Sequence, residues 1–301
     1  MKFPRQSRDR LLKRGILRTL VYANIFDYPL KEEEIWQWLI WEDEKKAGRD
    51  RGYFETALKM LRENKSCRGV NDYYFLPGRN GLVRVREQRE LLSGPKTRQA
   101  RKVAKILALI PWVGLIGITG SLARKNCDED GDIDLFFITR KGRLWLTRGL
   151  VVIILRLLGL YRRPGKITDM ICPNMFVSED ALEMKQKNLF IAHEVCLMTP
   201  IFDRDNVYQE FLDANQWVKN FLPNVLERTN VTFPQSRLQV GGFFVFNYAE
   251  WLARQIQLWY MRKHRTTEEV SENLIKFHPQ NAQEWVLEKY KKHLEKLSLF
   301  S

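Results

Sequence analysis

Two aspartates, Asp132 and Asp134, are the residues of this sequence whose type and spacing best suit chemistry. They lie in VGLIGITGSLARKNCDEDGDIDLFFIT, where two apolar runs flank a polar loop and the first run ends in Gly120-Ser121. The pattern predicts a strand, a turn with a short helix, and a neighbouring strand. Because successive strand residues face opposite sides, the two carboxylates project together. They would repel each other unless a cation lay between them, so the pair is a candidate metal site.

A simpler interpretation makes these aspartates surface residues at the start of a strand, since isolated Asp-x-Asp strings are common. The Gly-Ser pair upstream and the apolar runs on both sides favour the site instead. The neighbouring acids Asp128, Glu129 and Asp130 are interpreted as loop residues.

The segment resembles the active-site motif of the DNA polymerase β superfamily of nucleotidyltransferases, in which a Gly-Ser pair precedes an Asp-x-Asp pair. Aminoglycoside-modifying and small bacterial nucleotidyltransferases are the members most similar to this loop. The matching residues are Gly120, Ser121, Ala123, Arg124, Asp132, Ile133, Asp134 and Leu135. The resemblance implies an α/β domain with a mixed sheet, two Mg²⁺ ions and an NTP substrate.

The resemblance also implies a role for each residue type. Phosphoryl transfer requires charge neutralisation and in-line placement more than covalent help from the protein. Asp132 and Asp134 would be the catalytic carboxylates that hold Mg²⁺. The nucleotide would be bound by the backbone at Gly120, by the Ser121 hydroxyl and by Arg124.

Two further positions depart from the family pattern or match it only in part. Lys125 stands where close relatives have glycine, and it either contacts a phosphate or is solvated. A third catalytic carboxylate usually comes from a later strand, here KITDMICPNMFV, where Asp169 is the available acid. Asp169 lies near the predicted strand start, and the alternative is that it is only a strand-end residue. Asn174 occupies a position where an acid could also stand. Pro173 implies an edge strand or a bulge.

A histidine and a glutamate, His193 and Glu194, lie on a later predicted helix. Adjacent helical residues point about 100° apart, so the two do not form an obvious pair for one metal. We assign them a packing or acceptor-site role.

The first part of the chain predicts three helices followed by a short β-hairpin. Its plan resembles a winged helix-turn-helix over about residues 10–90, and nucleic acid is a candidate partner through residues 53–86. The basic residues that could meet phosphates are Lys59, Arg62 and Lys65 in the third helix and Arg68, Arg79, Arg84 and Arg86 in the wing. An exposed face with a structural or dimerising role is an equal alternative.

These patterns together predict an α/β (α+β) protein of three parts. A winged-helix-like domain covers residues 1–92 and a nucleotidyltransferase domain with a mixed sheet and flanking helices covers 93–232. A helical module covers 233–301. The first boundary is drawn at Ser93-Gly94-Pro95, because proline disfavours helix in the residue before it.

The composition favours polyanionic partners. Lys and Arg number 50 against 36 Asp and Glu, which gives a formal charge of +14. The alternative is that this charge only maintains solubility. The four cysteines are widely spaced and the first residues lack the apolar core of a signal peptide, so we expect a cytoplasmic protein.

The segment from Leu144 to Tyr161 approaches the length of a membrane span but contains Arg148 and Arg156. Arginine at the centre of a span is costly, so the segment predicts a buried helix with a basic rim and no membrane span. Leu150, Val151, Ile154 and Leu157 are expected to enter the core.

The function that these features predict is transfer of a nucleoside monophosphate from an NTP to a hydroxyl of an unknown acceptor, which is a small molecule, a protein or RNA. The alternative is a nucleic-acid-binding winged-helix regulator with a nucleotide-sensing, catalytically reduced transferase domain. A membrane-associated protein that uses residues 144–161 is a third, weaker hypothesis.

Overall fold

The structure is a computed structural model that describes residues 5–41, 50–225, 243–262, 269–276 and 281–297. Helices and strands alternate through most of the described chain, and the two sheets have helices packed against them. The prediction of a mixed α/β protein is therefore confirmed.

The N-terminal part contains three helices and a small antiparallel sheet. The elements are α1 (Arg5–Asn24), β1 (Leu30–Lys31), α2 (Glu32–Gln37), α3 (Arg51–Glu63), β2 (Arg68–Val70) and β3 (Tyr73–Phe75), and the strand order is β1-β3-β2. The Asp50 carboxylate accepts hydrogen bonds from the Gly52 and Tyr53 amides and so caps α3. The predicted apolar side of α3, from Phe54 to Leu61, is buried.

A single long helix, α4 (Leu82–Leu107), connects this part to the main sheet. It runs through Ser93-Gly94-Pro95 without the break expected there, so the boundary drawn at 92/93 lies inside a helix. The steric penalty on a residue before proline involves its Cβ, which Gly94 lacks. The flanking Ser93 and Lys96 are buried, so tertiary packing holds the helix across the proline.

The main sheet has six strands in the order β7-β4-β5-β6-β9-β8. Its strands are β4 (Val113–Ile118), β5 (Ile133–Thr139), β6 (Ile171–Ser178), β7 (Thr199–Asp203), β8 (Glu269–Val270) and β9 (Leu274–Lys276). Only the β5–β6 pair is parallel among these strands, and the helix α6 (Leu144–Leu157) makes the crossover between them. The module expected to be helical after residue 233 thus also supplies two strands to this sheet.

The remaining described helices are α5 (Gly120–Ala123), α7 (Leu189–Leu197), α8 (Val207–Ala214), the 3₁₀ helix Gln216–Asn220, α9 (Phe243–Arg262) and α10 (Asn281–Lys296). Helix α8 packs against β4 and β7, α9 packs against α6, and α10 packs against α1 and α7. No helix within the described ranges is both long enough and apolar enough to span a bilayer.

The predicted helix at 144–157 is present, but its buried side differs from the prediction. Val151 and Leu155 are buried, whereas Leu157 is exposed. Arg148 is buried and donates to the Gln257 side chain of α9, so of the two expected rim arginines only Arg156 is exposed. Packing of α9 on one side of α6 determines which residues are covered.

One hydrophobic core joins the N-terminal helices to the main sheet. It includes Leu12, Ile16 and Leu20 of α1, Phe54 and Leu58 of α3, Phe136 and Ile138 of β5, Val195 of α7 and Val286 and Leu294 of α10. A second core lies between α4, the other face of the sheet and α6. Each core crosses at least one predicted domain boundary, because amphipathic helices bury their apolar sides against whichever element is adjacent.

Candidate active site

The Gly-Ser turn and the strand with the aspartates are in direct contact. Gly120 follows β4 with φ of +66°, and a Cβ placed on it would lie 2.7 Å from Asp134 Oδ2. The Thr119 amide donates to the Asp134 carbonyl at 3.0 Å. Glycine satisfies both demands, since it adopts the left-handed conformation without penalty and leaves room for the carboxylate.

Asp132 and Asp134 lie together, as their alternation predicts, and a cysteine joins them. The parallel register places Asp134 opposite Cys172 of β6. The ligand atoms of Asp132, Asp134 and Cys172 all lie within 4.8 Å of one another. A cationic partner is also present, because Arg162 Nε lies 2.7 Å from Asp132 Oδ2.

The site disfavours the charged form of Asp134. Burial raises the pKa of Asp134 to about 7, and the negative charges of Asp132 and Glu194 add to the increase. A hydrogen bond from the Cys172 thiol and the charge of Arg162 act in the opposite direction. Burial also raises the pKa of Cys172, so this thiol stays protonated at neutral pH. Added positive charge at this position would favour the ionised carboxylate.

Asp169 does not join the pair, and its prediction as the third catalytic carboxylate is not supported by its position. It precedes β6 with φ of +58°, and its carboxylate lies 2.6 Å from Lys96 Nζ. Lys96 also donates to the carbonyls of Glu129 and Gly131. Asp169 therefore helps Lys96 of α4 to hold the loop that precedes β5. Among the described residues, no other acid completes a three-ligand group with Asp132 and Asp134.

Asn174 lies where β6 bulges. Leu135 pairs with Pro173 and Phe136 with Met175, so Asn174 has no partner on β5 and the bulge expected from Pro173 is present. The strand is interior, between β5 and β9, and not at the edge. Asn174 lines the same cavity as Asp134, and its buried Oδ1 accepts no hydrogen bond from the part of the chain that the structure describes.

The three predicted nucleotide-binding side chains have different surroundings. Ser121 is exposed in the first turn of α5. Arg124 is largely buried: its Nη2 lies 3.0 Å from Glu194 Oε1 and its guanidinium stacks on Phe26 at 4.1 Å. Lys125, with φ of +53°, is exposed and has its Nζ 3.7 Å from Glu90. Ser121 and Lys125 are accessible, whereas Arg124 belongs to an internal ion pair.

A cavity of about 390 Å³ opens beside Gly120 and Asp134. Glu194, Asn174 and Lys276 contribute polar groups to its lining. Most of the wall is apolar and comes from β5, β6, α7, α8, α10 and the segments on either side of α7. Its residues are Phe136, Met175, Met184, Phe190, Ile191, Val195, Met198, Phe211, Trp285 and Val286. The cavity therefore combines acidic groups at one end with an adaptable, methionine-containing apolar wall.

His193 has a packing role, whereas Glu194 faces the cavity. The His193 ring stacks on Tyr22 at 4.0 Å and near Trp38 at 5.8 Å, and its Nδ1 lies 2.9 Å from the Leu189 carbonyl. Burial lowers the pKa of His193 to about 3, so the ring is neutral. His193 therefore has a packing role, and Glu194 lies at the candidate site.

The basic residues expected to face nucleic acid divide into two groups. Lys59, Arg62, Lys65, Arg68 and Arg84 are exposed. Arg86 is buried, binds both oxygens of Glu34 at 2.7 Å and stacks on Tyr28, so the expectation that it meets phosphate is wrong. Arg79 is ion-paired with Asp27. These two arginines hold the N-terminal part together.

The sequence analysis missed Arg162 and Cys172 as members of the site. No local signal marks either residue, because each reaches Asp132 or Asp134 through the pairing of β5 with β6 and the crossover before it. No protein-family profile matches this chain, and no curated protein is detectably similar to it.

Proposed function

We propose that this protein is a metal-dependent nucleotidyltransferase that transfers a nucleoside monophosphate from an NTP to a hydroxyl of an acceptor. The observation that carries the proposal is the contact between Gly120 at the end of β4 and the Asp134 carboxylate on neighbouring β5. In this arrangement a glycine turn whose backbone can approach a phosphate lies directly beside a pair of carboxylates that can bind a cation. We propose in addition that the six-stranded sheet and its helices form a nucleotidyltransferase fold.

The donor set fits one Mg²⁺ ion better than two. Asp132 and Asp134 offer hard carboxylate oxygens, and the Asn174 amide oxygen is a neutral oxygen donor in the same cavity. The protonated Cys172 thiol is a poor ligand for Mg²⁺. When bound, Mg²⁺ neutralises charge on the triphosphate and on the leaving pyrophosphate.

The protein's own residues would hold the substrates on either side of the carboxylates. Ser121 and Lys125 are accessible to phosphate oxygens near the Gly120 turn. Arg124 is ion-paired with Glu194 and also lines the cavity beside Gly120 and Asp134, so it would hold that carboxylate in place and contact a phosphate from the cavity wall. The apolar cavity would bind the body of the nucleoside or the acceptor and exclude water from it.

All four cysteines are free thiols, which suits a cytoplasmic location.

A nucleotide-sensing regulator is the second candidate, and it rests on the lack of a third carboxylate beside Asp132 and Asp134 among the residues that the structure describes. Cys172 and Asn174 occupy the β6 positions beside Asp134, where a fully active site would need an acid. In this view residues 5–75 form a winged helix, because three helices precede a hairpin in a sheet ordered β1-β3-β2. Exposed Lys59, Arg62 and Lys65 would then meet nucleic-acid phosphates.

Substitution of the carboxylates tests the site. We expect Asp132→Asn and Asp134→Asn each to abolish the rise in melting temperature that Mg²⁺ and mixed NTPs produce together, since a ligand that binds the folded state stabilises it. Asp130→Asn is the control, because this exposed loop acid lies outside the cluster. Neither site variant should unfold the protein, and Asp134→Asn should raise its stability without ligand, since the pKa of Asp134 is raised. A full ligand-induced shift in either variant would refute the assignment.

Transfer of label separates the enzyme from the sensor. The protein is incubated with Mg²⁺, α-labelled NTPs and cell extract, and products are compared with those of Asp134→Asn. A labelled acceptor formed only by the wild type supports the transferase. NTP binding without label transfer, together with salt-sensitive retention of duplex DNA that Lys59→Glu and Arg62→Glu abolish, supports the regulator.

A further inference from the structure

An exposed apolar stripe runs along α9. Its members are Tyr248, Trp251, Leu252, Ile256, Trp259 and Tyr260, and they recur at the three- and four-residue spacing of one helical side. Trp259 is 61 % exposed and Tyr248 is 67 % exposed. The other side of α9 contacts α6, where Glu250 accepts from the amides of Trp145 and Leu146. The stripe is therefore a separate surface and not the packing side of this helix.

The neighbouring helix α6 extends this surface. Ile153 and Leu157 of α6 and Leu158, which directly follows it, are exposed, and Leu157 is 83 % exposed. The two helices pack side by side, and Gln257 of α9 donates to the Trp145 carbonyl at 2.7 Å. We call these nine residues, six from α9, two from α6 and Leu158 after it, the aromatic face. A patch of this extent on a soluble protein marks an interaction site.

The exposed charged residues of α6, of the segments that flank it and of α9 are basic. From residue 141 to residue 168 the sequence contains seven Lys and Arg and no Asp or Glu. Arg156, Arg163 and Lys166 of this segment are exposed, as is Arg262 at the end of α9. The one acid of α9, Glu250, is bound to the α6 amides. A partner of this face must therefore accept both aromatic side chains and a basic border.

We propose that the aromatic face binds the surface of an anionic lipid bilayer, with α9 and α6 lying in the plane of the interface. Trp and Tyr place their rings at the headgroup level of a membrane, and amphipathic helices with basic borders bind anionic lipid. Each exposed Lys or Arg adds attraction to a negatively charged leaflet. A second copy of the chain fits less well as the partner, because a two-fold contact would bring the basic borders of the two copies close together.

Vesicle co-sedimentation of the full chain tests the proposal. We expect binding to vesicles of phosphatidylcholine mixed with phosphatidylglycerol, and little binding to phosphatidylcholine alone. The double variant Trp251→Ala/Trp259→Ala should weaken binding at least about tenfold through lost apolar insertion. Leu91→Ala/Leu109→Ala is the matched control, because Leu91 on α4 and Leu109 just after α4 are both highly exposed and lie outside the face. This control should bind as the wild type does.

A charge variant tests the basic border separately. Arg156→Glu/Arg262→Glu should weaken binding to anionic vesicles, and raised salt should do the same to the wild type. Lys59→Glu/Arg62→Glu on α3 serves as its control and should bind normally. Failure of the wild type to bind anionic vesicles, or equal loss in the tryptophan variant and its leucine control, would overturn the proposal. The proposal would also be overturned if light scattering showed that the wild type is a dimer and that, of these variants, only the tryptophan variant is a monomer.

Discussion

At the scale of single residues, the site depends on one close approach between backbone and side chain. Gly120 places its α-carbon against the Asp134 carboxylate, while Arg162 and the Cys172 thiol contact the aspartate pair from other directions. Burial beside Asp132 makes the charge of Asp134 costly. A cation bound beside these carboxylates would therefore lower the free energy of the site, whereas the buried charge alone costs stability.

Two glycine variants separate backbone strain from contact with the carboxylate. Gly120 and Gly142 both have positive φ, +66° and +64°, but a Cβ on Gly142 meets no atom within 4 Å. We expect Gly142→Ala to cost about 1 kcal/mol, the penalty of the left-handed conformation alone. Gly120→Ala should cost more and should also abolish stabilisation by Mg²⁺ and NTP, because Asp134 must move.

Urea denaturation and ligand-induced melting shifts measure these two effects. The contact would have no importance for the site if Gly120→Ala and Gly142→Ala lost equal stability and both kept the ligand-induced shift.

At the scale of elements, α7 connects the N-terminal helices to the sheet through one histidine. His193 of α7 stacks on Tyr22 of α1 and lies near Trp38, which follows α2. The adjacent Glu194 turns toward the cavity and binds Arg124. One helix thus supports both the interface between the two parts of the molecule and a wall of the candidate site.

The depressed pKa of His193 predicts a loss of stability in acid. The folded protein resists protonation of this ring down to about pH 3, whereas the unfolded chain takes up the proton below pH 6.5. Stability attributable to His193 is therefore nearly complete above pH 7 and falls as pH decreases through 6.5, by about 2 kcal/mol on reaching pH 5. In His193→Phe this part of the pH dependence should vanish.

Urea denaturation of both proteins at the two pH values gives the difference directly, since titration of all other groups cancels. His293→Phe is a suitable control, because His293 makes the same 2.9 Å contact to a carbonyl one turn earlier but is only partly buried on α10. Equal pH dependence in the wild type and His193→Phe would show that protonation of His193 does not limit stability in acid.

At the scale of the whole molecule, the cores and α4 join parts that local patterns separate. Helix α4 begins beside the small sheet and ends beneath the main one, and Lys96 near its centre is tied to the loop before β5. The core that contains α1 and α3 continues into α7 and α10. Exposed basic residues and the aromatic face lie on the outside of this continuous body.

We expect the described parts of the chain to unfold in one cooperative transition. The fragment 1–92 should lack a cooperative melt, because the cut divides α4 and exposes the apolar side of α1. Circular dichroism of the fragment and the full chain, with tryptophan fluorescence followed in parallel, measures this. Coincident transitions in the full chain and a flat melt in the fragment are expected, whereas a sigmoidal melt of the fragment would mean that the N-terminal part folds alone.

Local sequence determined much of the element order and the centre of the site. Alternation within Asp132-Ile133-Asp134 and the apolar runs around Gly120 identified β4, the turn and β5, because strand periodicity and turn chemistry act over a few residues. The buried side of α3 followed from helical spacing in the same way. These features depend on neighbours in the chain, so the sequence carries them directly.

Tertiary structure decided which distant residues join that centre. Arg124 meets Glu194 across 70 residues and Lys96 meets Asp169 across 73. Cys172 faces Asp134 because β5 and β6 pair in parallel, and a bulge brings Asn174 into the cavity. The course of α4 through Pro95 likewise reflects burial of its flanks. Strand register and packing are set by the free energy of the whole fold, and no short-range pattern encodes them.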